Sequence, residues 1–114
     1  MLISKNRLRK KNDINNVFKK GKTVTGNFIF LRTAKNNLDT NRFAFVVSLK
    51  VSKKSVLRNK IKRQLRAIIK KNILKIRPGF DFMLIAKPQI INQQFKEIEK
   101  EIDAIFNSKF NKII

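Results

Sequence analysis

Arg58, Asn59, Lys62, Arg63 and Arg66 fall within one short stretch, "RNKIKRQLR", and no acid interrupts them. Guanidinium forks bind phosphate bidentately and stack on bases, and ammonium groups neutralise phosphate as point charges. That is the chemistry of recognition. The residues for breaking bonds are scarce, because the chain has no His, no Cys and no Tyr. Acid–base and metal-assisted hydrolysis call for His pairs or for metals held by clustered carboxylates. Here Asp13, Asp39 and Asp81 are scattered over three separate segments. Glu97, Glu99, Glu101 and Asp103 do cluster, but along a single helical segment whose plain reading is a solvated face. No catalytic residue and no metal ligand is therefore assigned to the chain.

The basic stretch needs a scaffold, and residues 54–76 read as the helix that carries it. At about 100° per residue, Leu57, Ile61, Leu65 and Ile68 fall within an arc of about 80°. Arg58, Asn59, Lys62, Arg63, Arg66 and Lys70 fall on the opposite flank, with Lys60 beside them. One flank anchors the helix in a core and the other presents a fixed cationic array. Like charges at i,i+4 cost about 0.2–0.5 kcal/mol per pair, so a free surface would be expected to mix in Glu.

The remaining elements follow from pattern. Residues 1–11 form a basic arm. "NDINNVFKKG" reads as a short helix capped by Asn12 and ended by Gly21, with Ile14, Val17 and Phe18 on one face. "FIFLRTA" (28–34) and "RFAFVVSL" (42–49) read as strands joined by "KNNLDTN" into an antiparallel hairpin, and "KTVTG" (22–26) as an extra edge strand. "RPG" (77–79) breaks the chain before a buried strand, "FDFMLIA" (80–86). The segment "NQQFKEIEKEIDAIFNSKF" closes the order as an amphipathic helix, capped by Asn92, with Phe95, Ile98, Ile102, Ile105 and Phe106 inward. The predicted architecture is one α+β domain over residues 1–114, ordered α-β-β-(β)-α-β-α. It is an open mixed sheet with helices on one face.

Composition narrows the partners. The chain has 114 residues and 28 Lys or Arg against seven acids, a formal net charge of +21. Such self-repulsion is expected where a polyanion compensates it. Abundant Lys, Asn and Ile suggest AT-rich codons, so part of the Lys excess carries no functional weight. Arg is the more telling residue, since AT-rich coding disfavours it. The charge is also lopsided: Thr40 to Phe80 holds thirteen Lys or Arg and no acid, while four of the seven acids sit in the last helix. No apolar run approaches the roughly 18 residues of a membrane span. Nucleic acid in a cytoplasmic setting is the expected partner, with no membrane and no small-molecule cofactor.

The stretch 58–66 resembles the signature R-N-x-x-K-R-x-x-R of the bacterial ribonuclease P protein family, with Arg58, Asn59, Lys62, Arg63 and Arg66 in register. "NRLRKKNDINNVFKKGK" (6–22), "FAFVVSLKVSKK" (43–54) and "DFMLIAKP" (81–88) resemble the flanking family segments, so the likeness spans about residues 5–107. The resemblance implies a small α/β sandwich with an uncommon left-handed crossover. It implies a protein that assists a catalytic RNA in removing the 5′ leader of precursor tRNA, with Mg²⁺ held mainly by the RNA. The signature residues then face that RNA, and Lys50 matches a basic residue before the helix. A cleft between the first helix and the sheet would hold the leader. Phe18 matches an aromatic position there, whereas Ile14 and Arg32 stand where many members carry Phe and Tyr. Strand alternation places Phe28, Phe30 and Arg32 on one face, making Phe30 an alternative stacking platform. Phe28, Phe43 and Phe45 are read as core.

Composition alone leaves a second class open, a structural ribosomal or nucleoid-type protein without a processing role; the 58–66 pattern favours the first by resemblance. A membrane-surface protein fits poorly, since the basic helix lacks Trp and a broad exposed apolar face.

Overall fold

The computed structural model describes residues 4–109, with no account of the side chains of residues 108 and 109. Helix α1 (Lys11–Lys20) leads into strand β1 (Lys22–Thr25), followed by β2 (Ile29–Lys35) and β3 (Arg42–Val46). Helix α2 (Ser55–Asn72), strand β4 (Phe80–Ala86) and helix α3 (Phe95–Ala104) complete the order. A π-helical turn, Ile105–Lys109, continues α3. Phe110, assigned to the last helix from sequence, lies outside the described residues.

The sheet runs β1-β2-β4-β3. β1 pairs antiparallel with β2, β2 antiparallel with β4, and β3 parallel with β4. The predicted hairpin between 28–34 and 42–49 is therefore corrected: β4 lies between those strands. Turn-rich residues at 36–41 do reverse the chain, but they carry it across the place that β4 fills. A parallel neighbour needs a crossover, and α2 supplies it.

The helices also do not share one face. Ile61, Leu65, Ile68 and Ile69 of α2 and Ile98 and Ile102 of α3 pack with Ile29, Leu31, Phe43, Phe82 and Leu84. On the other side Val17 of α1 meets Leu8 and Met83, with Ile14, Ala34, Ala44, Val46 and Ile85 around them. β4 is buried on both faces, so its run "FDFMLIA" is almost wholly apolar rather than alternating. The sheet is sandwiched between α1 and the α2–α3 pair.

Several local boundaries shift. α1 begins at Lys11 after Lys10, without a side-chain cap, and Asn12 lies inside it. Gly21 does end α1, its N–H donating to the Val17 carbonyl at 2.8 Å. α2 stops at Asn72 and a 3-10 turn covers Ile73–Lys75. Leu57 is half-buried rather than core, and Ile69 joins the buried stripe instead. α3 starts after Gln94, while Asn92 adopts φ 67°, in the turn before it. Phe95 is turned out to solvent, 38% exposed, because it opens the helix ahead of the Ile98–Ile102 stripe. Phe28 precedes β2 and packs on the α2–α3 side, so it does not share a face with Phe30 and Arg32.

Glu101 corrects the reading of the last helix as solvated. Its carboxylate accepts from the N–H groups of Asn27, Phe28 (2.8 Å) and Ile29 (3.0 Å). This staples α3 to the β1–β2 turn. A Cβ on Gly26 would come within 2.6 Å of the Glu101 carboxyl carbon, so a side chain there would push the carboxylate away from its three donors. Glu101→Ala is expected to lower stability by about 1.5–3 kcal/mol, the range for hydrogen bonds to a charged group. Urea unfolding checks this, and a loss under about 0.5 kcal/mol would mean the turn holds itself.

Candidate nucleic-acid interface

α2 presents the predicted array. Ile61, Leu65, Ile68 and Ile69 are buried, which fixes the helix's rotation about its axis. Asn59, Lys60, Arg63 and Lys70 are exposed on the outer side, and Arg58, Lys62 and Arg66 are half-buried on its shoulders. Lys50 is exposed in the loop ahead of the helix. Arg63, Arg66, Lys70 and Lys71 line an open groove of about 830 Å³. The helix has no acid in its first turn, while Lys70 and Lys71 complement the negative end of its dipole.

Two of the arginines have local partners. Arg58 donates from Nη1 to the Ser52 carbonyl at 3.0 Å and ties the helix to the preceding loop. The guanidinium carbon of Arg66 lies 6.0 Å from the centre of the Phe45 ring. Phe45, read from sequence as core, packs against the core yet stays half-exposed.

The other face of the sheet carries the predicted cleft residues. Phe18 is 50% exposed near the end of α1, and Ile14 is half-buried against the cluster around Val17. Phe30 is half-buried in β2. Arg32, one residue pair further along the same face, donates from Nε to the Val17 carbonyl (3.1 Å) and from Nη1 to Thr23 Oγ1 (2.7 Å). Its Nη2 donates to the Phe18 carbonyl. Arg32 thus fastens the C-terminal end of α1 to the sheet and sets where Phe18 stands.

A second fastening holds the other end of α1. Arg42 on β3 donates from Nε and Nη2 to the Asp81 carboxylate (2.8 and 2.7 Å) and from Nη1 to Asp13 (3.0 Å). Asn36 Nδ2 donates to the same Asp81 at 2.9 Å. Asp81 is 2% exposed. The hydrogen bond to Asp81, chiefly, raises the Arg42 pKa; burial opposes it and the charges of Asp81 and Asp13 add to it. With Lys71–Glu99 at 3.3 Å, four of the seven carboxylates are held in internal contacts. Among the described residues, no three His, Cys, Asp or Glu side chains group as a metal would require.

By sequence, Arg7 and Arg9 are members of a basic arm. In the structure Arg7 bridges Phe43 in parallel, and the Leu8 N–H donates to the Phe43 carbonyl at 2.8 Å. After a 3-10 turn at Ser4–Asn6, Arg7 and Leu8 therefore lie along the outer edge of β3, beside α2. Its signal in the sequence is the alternation Arg7-Leu8-Arg9, a two-residue period that strand pairing demands.

A cationic helix against a sheet, with α1 across the opposite face, is an arrangement that known proteins share. A family model described as Ribonuclease P matches residues 2–109. The chain belongs to that family. The ribonuclease P protein component of Syntrophomonas wolfei is 39% identical over 105 residues, covering 92% of this chain and 87% of that one. The component from Synechocystis sp. is 35% identical over 102 residues, covering 89% and 82%. Among solved structures, the Staphylococcus aureus RNase P protein superposes with a TM-score of 0.82 at 28% identity, covering 90% of this chain and 93% of the other. The Thermotoga maritima RNase P protein gives 0.80 at 29%, covering 88% and 94%. The α+β sandwich is thus the fold of the ribonuclease P proteins. Membership in the ribonuclease P protein family implies a subunit of an endoribonuclease holoenzyme associated with ribonuclease P RNA, in tRNA 5′ processing. Among the described residues no helix is long and apolar enough to cross a membrane.

Proposed function

We propose that this chain is the RNA-binding subunit of a cytoplasmic ribonuclease P, and that the RNA performs the hydrolysis. The outer side of α2 docks on the catalytic RNA through Arg58, Asn59, Lys60, Lys62, Arg63, Arg66 and Lys70, with Lys50 beside them. The cleft between α1 and the sheet takes the single-stranded 5′ leader of precursor tRNA. The observation that carries this reading is an acid-free cationic helix face whose opposite flank is locked in the core. Its charges are pre-positioned for a polyanion and nothing on the helix itself neutralises them.

The carboxylates support the same division of labour. Asp13, Asp81, Glu99 and Glu101 are engaged in holding the fold, and the chain has no His to shuttle a proton. Mg²⁺ belongs mainly to the RNA in this reading. The protein screens phosphate repulsion, which favours close approach of RNA strands and the metal sites between them. Precursor cleavage by the RNA alone is therefore expected at raised Mg²⁺, with the chain lowering the Mg²⁺ requirement. Titrating Mg²⁺ with RNA alone, chain alone and both together tests it. Cleavage by the RNA-free chain, or none by the RNA at any Mg²⁺, overturns the assignment.

Phe18 is the cleft residue most open to a base. A base stacked on an aromatic ring is worth about 1–3 kcal/mol, so Phe18→Ala is expected to weaken binding of precursor tRNA roughly 5- to 150-fold. Mature tRNA, which lacks the leader, should bind almost unchanged. Equal losses for both substrates would remove Phe18 from the leader site.

A further inference from the structure

Between the N-terminal arm and α2 lies an open cleft of about 370 Å³, walled by Arg7, Leu8, Arg9, Phe43, Phe45 and Arg66. That is within the usual range of ligand pockets, roughly 300–1,000 Å³. The arm's pairing to the edge of β3 builds it. Leu8 is buried on the α1 side of the sheet with Val17 and Met83. Alternation along Arg7-Leu8-Arg9 then sends Arg7 and Arg9 to the opposite side, where they line the cleft with Phe45 and Arg66. Phe43 is buried and forms the floor, while Phe45 keeps part of its ring open under the Arg66 guanidinium.

The choice of cation is informative. The chain has eight arginines among its 28 basic residues. Three of the eight line this one cleft, and no lysine and no carboxylate does. A guanidinium stacks flat on a base and forks to a phosphate, whereas an ammonium only neutralises charge. An aromatic face, a guanidinium plane above it and two further guanidinium forks at the rim match the parts of a single nucleotide.

We propose that this cleft is a socket for one unpaired RNA nucleotide, its base on Phe45 and Arg66 and its flanking phosphates on Arg7 and Arg9. Unpaired, splayed-out bases are the usual targets of such stacking surfaces on RNA. Stacking tolerates any base, so the socket selects an extruded nucleotide rather than a sequence. The proposal rests on the reading that α2 docks on ribonuclease P RNA and adds a position on that surface which phosphate contacts alone do not supply.

Binding of the full chain to its ribonuclease P RNA, measured across a salt series, separates stacking from charge. Arg66→Lys keeps the charge and loses the plane; Phe45→Leu keeps the apolar packing and loses the ring. Each is expected to weaken binding roughly 5- to 150-fold while leaving the slope of log affinity against log salt as in the wild type. Arg9→Ala is expected to lower that slope by about one. Thermal melting of each variant without RNA shows whether the fold survives, and Arg66→Lys, at a half-buried position, tests the stack even if Phe45→Leu melts early. Losses below about twofold for Arg66→Lys, or losses accompanied by a reduced slope, overturn the socket while leaving electrostatic docking intact. A wild-type chain that does not bind the RNA at all overturns both.

Discussion

Between about 50 and about 200 mM salt, the affinity of this chain for its ribonuclease P RNA is expected to fall about 10³–10⁵-fold, the drop for about six to ten neutralised phosphates. The outer side of α2 supplies Arg58, Lys60, Lys62, Arg63, Arg66 and Lys70, and Lys50 adds a seventh cation from the loop before it. Each neutralised phosphate releases condensed counterions, which is why the response is a power of the salt concentration rather than a gentle screening. Replacing Arg58, Lys62 and Arg66 together with Ala should reduce the log–log slope by about two to three, at about 0.7–0.9 per contact. The fold should lose far less, since none of the three is fully buried, although the Arg58 bond to the Ser52 carbonyl goes with the change. Filter binding across the salt series measures the slope, and a flat response is incompatible with an electrostatic dock.

The largest effect on stability is expected at Asp81. It is 2% exposed and accepts two hydrogen bonds from Arg42 and one from Asn36. Removing one partner of a buried ion pair costs about 3–5 kcal/mol, and here Asp13 would be the one counter-charge the half-buried Arg42 keeps. Asp81→Asn should fall in that range by urea unfolding, and it should also loosen α1, because Arg42 carries the contact to Asp13. Replacing Arg42 and Asp81 together with apolar residues should recover part of the loss, as the buried carboxylate goes and only the partly exposed Asp13 loses its counter-charge. A cost below about 1 kcal/mol for Asp81→Asn would show that the pair does not hold the sandwich. The raised Arg42 pKa means that its contribution is present below the ordinary arginine pKa. It is lost only as pH climbs through the raised value, so titration on the alkaline side of neutrality should leave it in place until extreme pH.

What could be read before folding, and what could not, divides along physical lines. The helical period of Leu57, Ile61, Leu65 and Ile68 located α2 and its cationic side, because burial and exposure alternate locally along one element. "FDFMLIA" was legible as a buried strand because both of its faces are covered. Strand order was not legible, since nothing local in "FIFLRTA" or "RFAFVVSL" records that a strand from much later in the chain separates them. The same limit hid the helices' distribution over both faces. Glu101 looked like any solvated helix carboxylate, as its partners are main-chain N–H groups distant in sequence. Arg42, one of thirteen basic residues in an acid-free stretch, gave no sign that it faces two acids from other elements. The cation-rich helix was evident from types and spacing, but the cleft beside it required knowing which edge the arm follows.

The strand made last goes to the middle. Until the ribosome has delivered Phe80–Ala86, β2 and β3 have no common neighbour, and α2 has no finished surface to lie on. A nascent chain ending before that point can pair β1 with β2 but cannot complete the sheet, so folding is expected to be deferred to the final third of synthesis and slowed by distant pairings. Truncation at the C-terminal side of α2 is expected to leave at most the β1–β2 pair, because both remaining ladders run through the missing strand.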